Sequence, residues 1–469
     1  MKHGRLLFFA WILTATSCGE LNSIRDIEQT NTAYIRIPKS AVTKDFLNET
    51  NFNLDHKQDD VFAFGYIHRD KLESLQSNMQ SNIVELDRKF SKINFDAKTL
   101  TVADGDIKTD KELKEGYHDY DALTEELERL ASTYPELTEL TSAGRSVQGR
   151  ELWLMKISDR AAVDEDEPKL LYIANMHGDE VVGRELMIYL VRQLLEEYDS
   201  NERIRSLVNN SQIYIMPSMN PDGFERGRRE NSRGYDLNRD FPDFLDDPSD
   251  SENGRQVETQ HVMKLHSEHH FVLAINFHGG AVCFNLPWDT KVNNSPSARF
   301  GDDPLLSVLG REYANNNSYM SSNGGFDRGV TYGYEWYRVV GGMQDWANYY
   351  RRSTHATVEL SFTKWPSSST LETQWSRNQE ALLQYLERGL RGAHLKVTNP
   401  DGELLRNVDI KVSSAYARTV QYNSGVIHKP TLPGIQAIEV SANGFKKQTI
   451  NINASNFEGN LDEVVLIRK

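Results

Sequence analysis

The sequence predicts a doubly wound α/β domain over residues 116–390. A small α/β module stands in front of it, and an all-β sandwich over 391–469 follows. Two observations carry this reading. In the middle of the chain, apolar strand-like runs alternate with stretches of helical spacing, the signature of a sheet covered on both faces. In the last part, short alternating runs are separated by turn residues and no helical period appears.

The chain opens with a basic Lys2 and Arg5, then the apolar run Leu6 to Leu13. That run is too short to span a bilayer. Small residues lead to Cys18-Gly19, and the segment resembles a bacterial lipoprotein signal. The resemblance implies a signal peptide over 1–17 and a lipid-bearing Cys18. It also implies an exported protein, held to a membrane by an N-terminal anchor and facing the periplasm or cell exterior. The alternative is an ordinary cleaved signal. In the region 18–115, Ala33–Ile37, Val61–Tyr66 and Ile83–Leu86 read as strands and Lys71–Gln80 as a helix. The charged stretch Asp104 to Glu115 reads as a linker. This module resembles the pro-segment-like domains that precede some bacterial enzymes.

The formal net charge of −15 argues against a nucleic-acid partner, because phosphate binding needs a basic face. An acidic balance suits cationic substrates. There are two cysteines. With Cys18 acylated, Cys283 stands alone and no disulfide forms.

In the central region, Leu170–Ala174 is a continuous apolar run, as expected of a strand buried on both faces. Leu186, Met187, Leu190, Val191, Leu194 and Leu195 follow at helical spacing. Gln212–Met216, Phe271–Ile275 and Ala356–Leu360 read as further strands, and 378–390 as the closing helix. Ligands then belong at the carboxyl ends of the strands. Two candidate ligands, His177 and Glu180, follow the first of these strands, and a third, His278, follows the strand at 271–275. Two His and one Glu leave a tetrahedral position open, as in catalytic rather than structural zinc. On pattern alone, strand-end histidines with ordinary hydrogen bonds explain these residues equally well.

The blocks Ala143–Arg150, Asn175–Glu180, Asn220–Phe224, Asp236–Arg239, His278–Gly280, Gly341–Trp346 and Val358–Leu360 change that balance. In order and spacing, residues 117–390 resemble the zinc metallocarboxypeptidases, in particular their regulatory N/E branch. The resemblance implies a mixed sheet of the zinc carboxypeptidase type and one Zn²⁺ held by His177, Glu180 and His278. Asp236 is implied to support a ligand histidine. Glu359 is implied as catalytic acid/base, a lone carboxylate in an apolar strand run. Arg229, nine residues before Asn238, is implied to stabilise the oxyanion, with Arg228 as its competitor. Asn238 and Arg239 are implied to clamp the substrate's terminal carboxylate. Tyr337 would close over it.

Specificity is implied to rest on Asp289, eleven residues after His278, which would pair with a substrate Lys or Arg. The partners are therefore peptide or protein C-termini. His266, His269 and His270 have no counterpart among the family's ligands and read as surface residues. The region 391–469 resembles the transthyretin-like sandwich of the same branch and is expected to shape the funnel to the site. A peptidoglycan stem-peptide carboxypeptidase, or an inactive surface binding protein on the same fold, are the competing function classes.

Overall fold

The computed structural model describes residues 116–290, 300–323, 325–412 and 419–469. Ahead of these it describes four strands, β1 (Thr32–Pro38), β2 (Asn53–Gln58), β3 (Phe62–His68) and β4 (Val84–Glu85). The four form one sheet in the order β2-β3-β1-β4, in which β3 pairs antiparallel with β1 and β2, and β1 with β4. The three strands expected in this region are among them. The expected helix at 71–80, the linker, the signal segment and Cys18 lie outside the described residues.

The central sheet has eight strands: β5 (Thr138–Arg145), β6 (Glu151–Ile157), β7 (Lys169–Ala174), β8 (Gln212–Met216), β9 (Phe271–His278), β10 (Val282–Leu286), β11 (Val330–Tyr332) and β12 (Thr354–Leu360). Their order is β11-β10-β12-β9-β7-β8-β6-β5. The core β8-β7-β9-β12 is parallel, and β10 and β6 join it antiparallel. The four parallel strands are those expected from apolar runs. They are buried on both faces, so no polar alternation interrupts them.

Side chains alternate between two cores, as the period of two requires. Leu170, Tyr172 and Ala174 face one core, with helices α1 (Tyr120–Thr133), α2 (Val182–Glu196), α5 (Asp303–Asn316) and α6 (Leu371–Gly389). Leu171 and Ile173 face the other, with Met263 and Leu265 of α4 (Val257–Glu268) and the indole of Trp346. Each such fully buried aliphatic side chain contributes about 1.5–3 kcal/mol of transfer free energy. The short helix α3 (Pro221–Glu225) follows β8, capped by the Asn220 side chain, which accepts from the Gly223 amide.

His266 lies in the second core, a correction to the surface reading. It is 4% exposed, and its ring packs edge-on against Phe271 and Trp346. Burial holds it neutral, lowering its pKa well below the usual histidine value.

The last seven strands run β13 (Arg391–Thr398), β14 (Val408–Val412), β15 (Val420–Tyr422), β16 (Val426–Pro430), β17 (Gly434–Ala442), β18 (Gln448–Asn456) and β19 (Asp462–Val465). They follow the path β15-β14-β17-β18-β13-β16, with β19 alongside β13, and enclose one apolar core. This part meets the central domain at the amino ends of the parallel strands. His428 Nε2 lies 3.2 Å from the Asp166 carbonyl, the His270 ring stacks edge-on with Tyr422, and Lys429 pairs with Asp302. Strand β9 alone separates His270 from His278 by about 25 Å at 3.3 Å per residue. These contacts therefore stand at the end of the sheet opposite His278, not around a funnel above it.

Candidate active site

The loop after β7 is built to turn sharply. Asn175 adopts φ 56°, a conformation that Asn tolerates better than most residues. Its amide nitrogen donates to the carbonyls of His177, Gly178 and Glu180 at 3.0–3.2 Å. Gly178 is required here, since a Cβ would lie 2.0 Å from the Gly223 carbonyl carbon. The motif blocks interlock. Asp222, fully buried, accepts from the Ser146 hydroxyl, the Gln148 amide and Arg150 at 2.7–2.8 Å.

His177, Glu180 and His278 converge. His177 Nδ1 and His278 Nδ1 each lie 2.9 Å from Glu180 Oε2, and 3.0 Å from each other. All three residues are 2–3% exposed. Two imidazoles and a carboxylate facing one point fit a zinc ion. Ligand atoms about 2.0–2.1 Å from a tetrahedral ion stand roughly 3.3 Å apart. His177 Nε2 sits 3.0 Å from Asp236 Oδ1, so its Nε2–H has an acceptor and Nδ1 is left as the ligand face.

Electrostatics favour the same assignment. Burial lowers His278 to about 4, against the opposing pull of Glu180, so its imidazole is neutral at pH 7. Burial alone would raise Glu180 and Asp236. The charges around them outweigh it: His177 and Lys364 hold Glu180 well below the usual range, and Arg229 and His177 do so for Asp236. Arg229 is the arginine that enters the site, resolving its competition with Arg228. It donates to Asp236 Oδ2 at 2.9 Å and to Glu180 Oε1 at 3.2 Å.

Glu359, 3% exposed, stands on β12 in register with His278. Burial, reinforced by the negative Glu180, pushes its pKa well above the carboxylate range. Asp289 is 4% exposed and raised to about 6, chiefly by burial. Its Oδ1 accepts from Asn285 Nδ2 at 2.9 Å and from Gln344 Nε2 at 3.2 Å. Its backbone N–H is gripped by the Asp345 carboxylate at 2.9 Å. Sequence reading missed Asn285, Gln344 and Asp345 as partners of Asp289. Asp345 and Gln344 belong to a motif block that had been identified without a role.

One pocket is lined by His177, Arg229, Asn238, His278, Asp289, Tyr337 and Glu359, together with Asn285, Gly333, Trp336, Val339 and Thr357. Asn238 is tied in place through Oδ1, which accepts from the Met343 amide at 3.0 Å. Arg239 donates to the Asn238 carbonyl at 2.8 Å and bears on both Asp289 and Tyr337 electrostatically. Tyr337 packs edge-on against Trp336, and burial raises its phenol.

A family model described as zinc carboxypeptidase matches residues 123–381. The chain is 33% identical to the carboxypeptidase N catalytic chain of Homo sapiens, over 74% of this chain and 84% of that one. The chain belongs to the zinc carboxypeptidase family. It is also 36% identical to carboxypeptidase D of Homo sapiens over 70% of its length, while spanning about a quarter (25%) of that longer relative. The crystal structure of carboxypeptidase A from Helicoverpa armigera shares the fold, with a TM-score of 0.54 at 18% identity, covering 77% of this chain and 98% of that one. The mixed central sheet is thus the zinc carboxypeptidase sheet, and the His177–Glu180–His278 cluster stands at its carboxyl ends.

Proposed function

We propose that this chain is a zinc-dependent carboxypeptidase that hydrolyses the last peptide bond of a peptide or protein and releases a single Lys or Arg. The observation that carries the reading is the shared pocket. Its lining includes His177 and His278, both 2.9 Å from Glu180 Oε2, and the buried carboxylates Glu359 and Asp289, which supports reading them together as one site.

Zinc bound to His177, Glu180 and His278 would polarise the scissile carbonyl and make water a stronger nucleophile at neutral pH. Glu359 takes a proton from the attacking water and passes it to the departing amine, a task suited to a buried carboxyl whose pKa is raised above the usual carboxylate range. Arg229 faces the developing oxyanion. Asn238 and Arg239 hold the terminal carboxylate, and Tyr337 covers it. Asp289 receives the cationic side chain, because a buried carboxylate favours a basic group and rejects an acidic one. Atoms balance as water adds across the C–N bond, giving the shortened peptide and a free amino acid.

The proposed organisation is a signal over 1–17, a lipid on Cys18, a pro-segment-like module to 115, the catalytic domain over 116–390 and the transthyretin-like sandwich over 391–469. The lipid would hold an exported enzyme at a membrane. The test uses short peptides ending in Arg, Lys, Phe or Glu, with and without a chelator. Chelator-sensitive release of Arg and Lys is the expected result. Turnover of muropeptides without release from basic peptides would overturn the substrate, and peptide binding without any hydrolysis by zinc-loaded protein would overturn the activity.

A further inference from the structure

Asn276 is a polar residue inside the all-buried strand Phe271–His278, 1% exposed and two positions before the ligand His278 on the same face. An amide buried there is costly unless its groups are engaged. Its Nδ2 lies 2.7 Å from His278 Nε2. Its Oδ1 lies 3.0 Å from His355 Nε2 and accepts from the Thr357 hydroxyl at 2.9 Å. Both of those partners sit on the neighbouring strand, where Thr357 is in register with Asn276. The far end of this network is itself clamped, because Asn348 bonds both the amide and the carbonyl of His355, at 3.1 and 2.7 Å.

The two ends of a side-chain amide have the same shape, so which end faces His278 depends on where the imidazole proton sits. Two settings satisfy the contacts between Asn276 and its three partners. In one, Nδ2–H donates to a bare Nε2, and the proton on Nδ1 is given to Glu180 Oε2, 2.9 Å away. In the other, Oδ1 accepts Nε2–H and Nδ1 is bare towards His177 and Glu180. The Thr357 hydroxyl donates or accepts as required, and His355 serves either setting through its two tautomers.

We propose that Asn276 is a positioning residue that holds the His278 ring with Nδ1 directed at the metal and accepts the Nε2–H when Nδ1 is bare. It does for His278 what Asp236 does for His177. The proposal rests on the zinc reading of the site.

The experiment measures zinc dissociation constants by competition with a chromophoric chelator. It uses the full chain without its signal: wild type, Asn276→Ala, Asn276→Asp and the near-isosteric Thr357→Val. Thermal unfolding of the metal-free proteins checks that each variant is folded. Loss of such a supporting partner weakens metal affinity about 10- to 100-fold, which is the loss expected for Asn276→Ala. Asn276→Asp keeps a strong acceptor for Nε2–H and is expected to remain within about threefold of wild type. Thr357→Val, which only loosens the amide, should weaken zinc by about threefold or more. Wild-type affinity in Asn276→Ala overturns the proposal. So does an Asp variant as weak as the Ala variant, which would mark Asn276 as packing alone. Should Asn276→Ala fail to fold, Asn276→Asp within about threefold of wild type with Thr357→Val weakened about threefold or more supports the proposal, and an Asp variant weakened about tenfold or more, or a Thr357→Val variant of wild-type affinity, overturns it. A wild-type protein that binds no zinc overturns both this proposal and the function on which it rests.

Discussion

Replacing Asp289 with Asn is the most informative perturbation of this pocket. The Asn285 and Gln344 amides both aim at Oδ1. An asparagine carbonyl keeps those two bonds, and its own NH₂ is then presented to the pocket in place of a carboxylate oxygen. A cationic substrate side chain would lose a buried, charge-assisted partner and meet a donor instead. Truncating one partner of such a pair costs about 2–5 kcal/mol, so about 3 kcal/mol, or roughly 150-fold in kcat/KM, is expected for peptides ending in Arg or Lys. Peptides ending in Leu or Phe should change less than about threefold, since they gain nothing from the charge.

Stability provides the control. The Asp289 carboxyl is raised to about 6 by burial, so its ionisation opposes folding. Its stabilising contribution is present below the unfolded pKa and is lost as pH rises through about 6. At pH 7.5 the Asn variant should therefore unfold at the same temperature as wild type or higher. The assay is kcat/KM for matched peptides at that pH. Retained preference for basic residues in a folded Asp289→Asn protein would refute the role given to this carboxylate.

Three further outcomes follow from the same geometry. Glu359→Gln should lower kcat about 10²- to 10⁴-fold while zinc affinity, measured by chelator competition, stays at the wild-type value; weakened zinc binding would instead make Glu359 part of the metal site. In Gly333→Ala the new Cβ would lie 1.7 Å from Asp289 Oδ1, so the carboxylate must shift, and the preference for Arg over Leu should fall about tenfold to a hundredfold in end-point peptide assays. The ratio of kcat/KM for Arg over Leu should decline as pH falls through about 6, because protonation removes the Asp289 charge. Ionisations that affect both substrates equally, such as that of Glu359, cancel in the ratio. In Asp289→Asn that ratio should be flat with pH.

Much of this protein is determined by sequence alone. The strands at Leu170–Ala174 and Phe271–Ile275 announce themselves because burial on both faces demands uninterrupted apolar residues. His177, Glu180 and His278 stand out as candidates by their place after two apolar strands, and the resemblance of the surrounding blocks to the zinc metallocarboxypeptidases is what singles them out as ligands. Strands β5, β6, β10 and β11 escaped such reading. They pair at or near the sheet's edges: β5 is largely exposed or half-buried and β11 has three residues, while β6 and β10 are mostly buried but carry polar residues, Lys156 and Asn285, that break the apolar run. His266 escaped it because helical position does not reveal which face meets the core.

Only the tertiary structure decided which arginine lines the pocket beside Glu180 and Asp236, since Arg228 and Arg229 are adjacent in sequence and point in different directions from one loop. It also decided that Asn285, Gln344 and Asp345 hold Asp289, and that Asn276, Thr357 and His355 stand behind His278. These partners come from different strands and loops, and hydrogen bonding between them depends on ångström-scale register. Local sequence encodes which groups are available; the packing of β9 against β12 determines which of them meet.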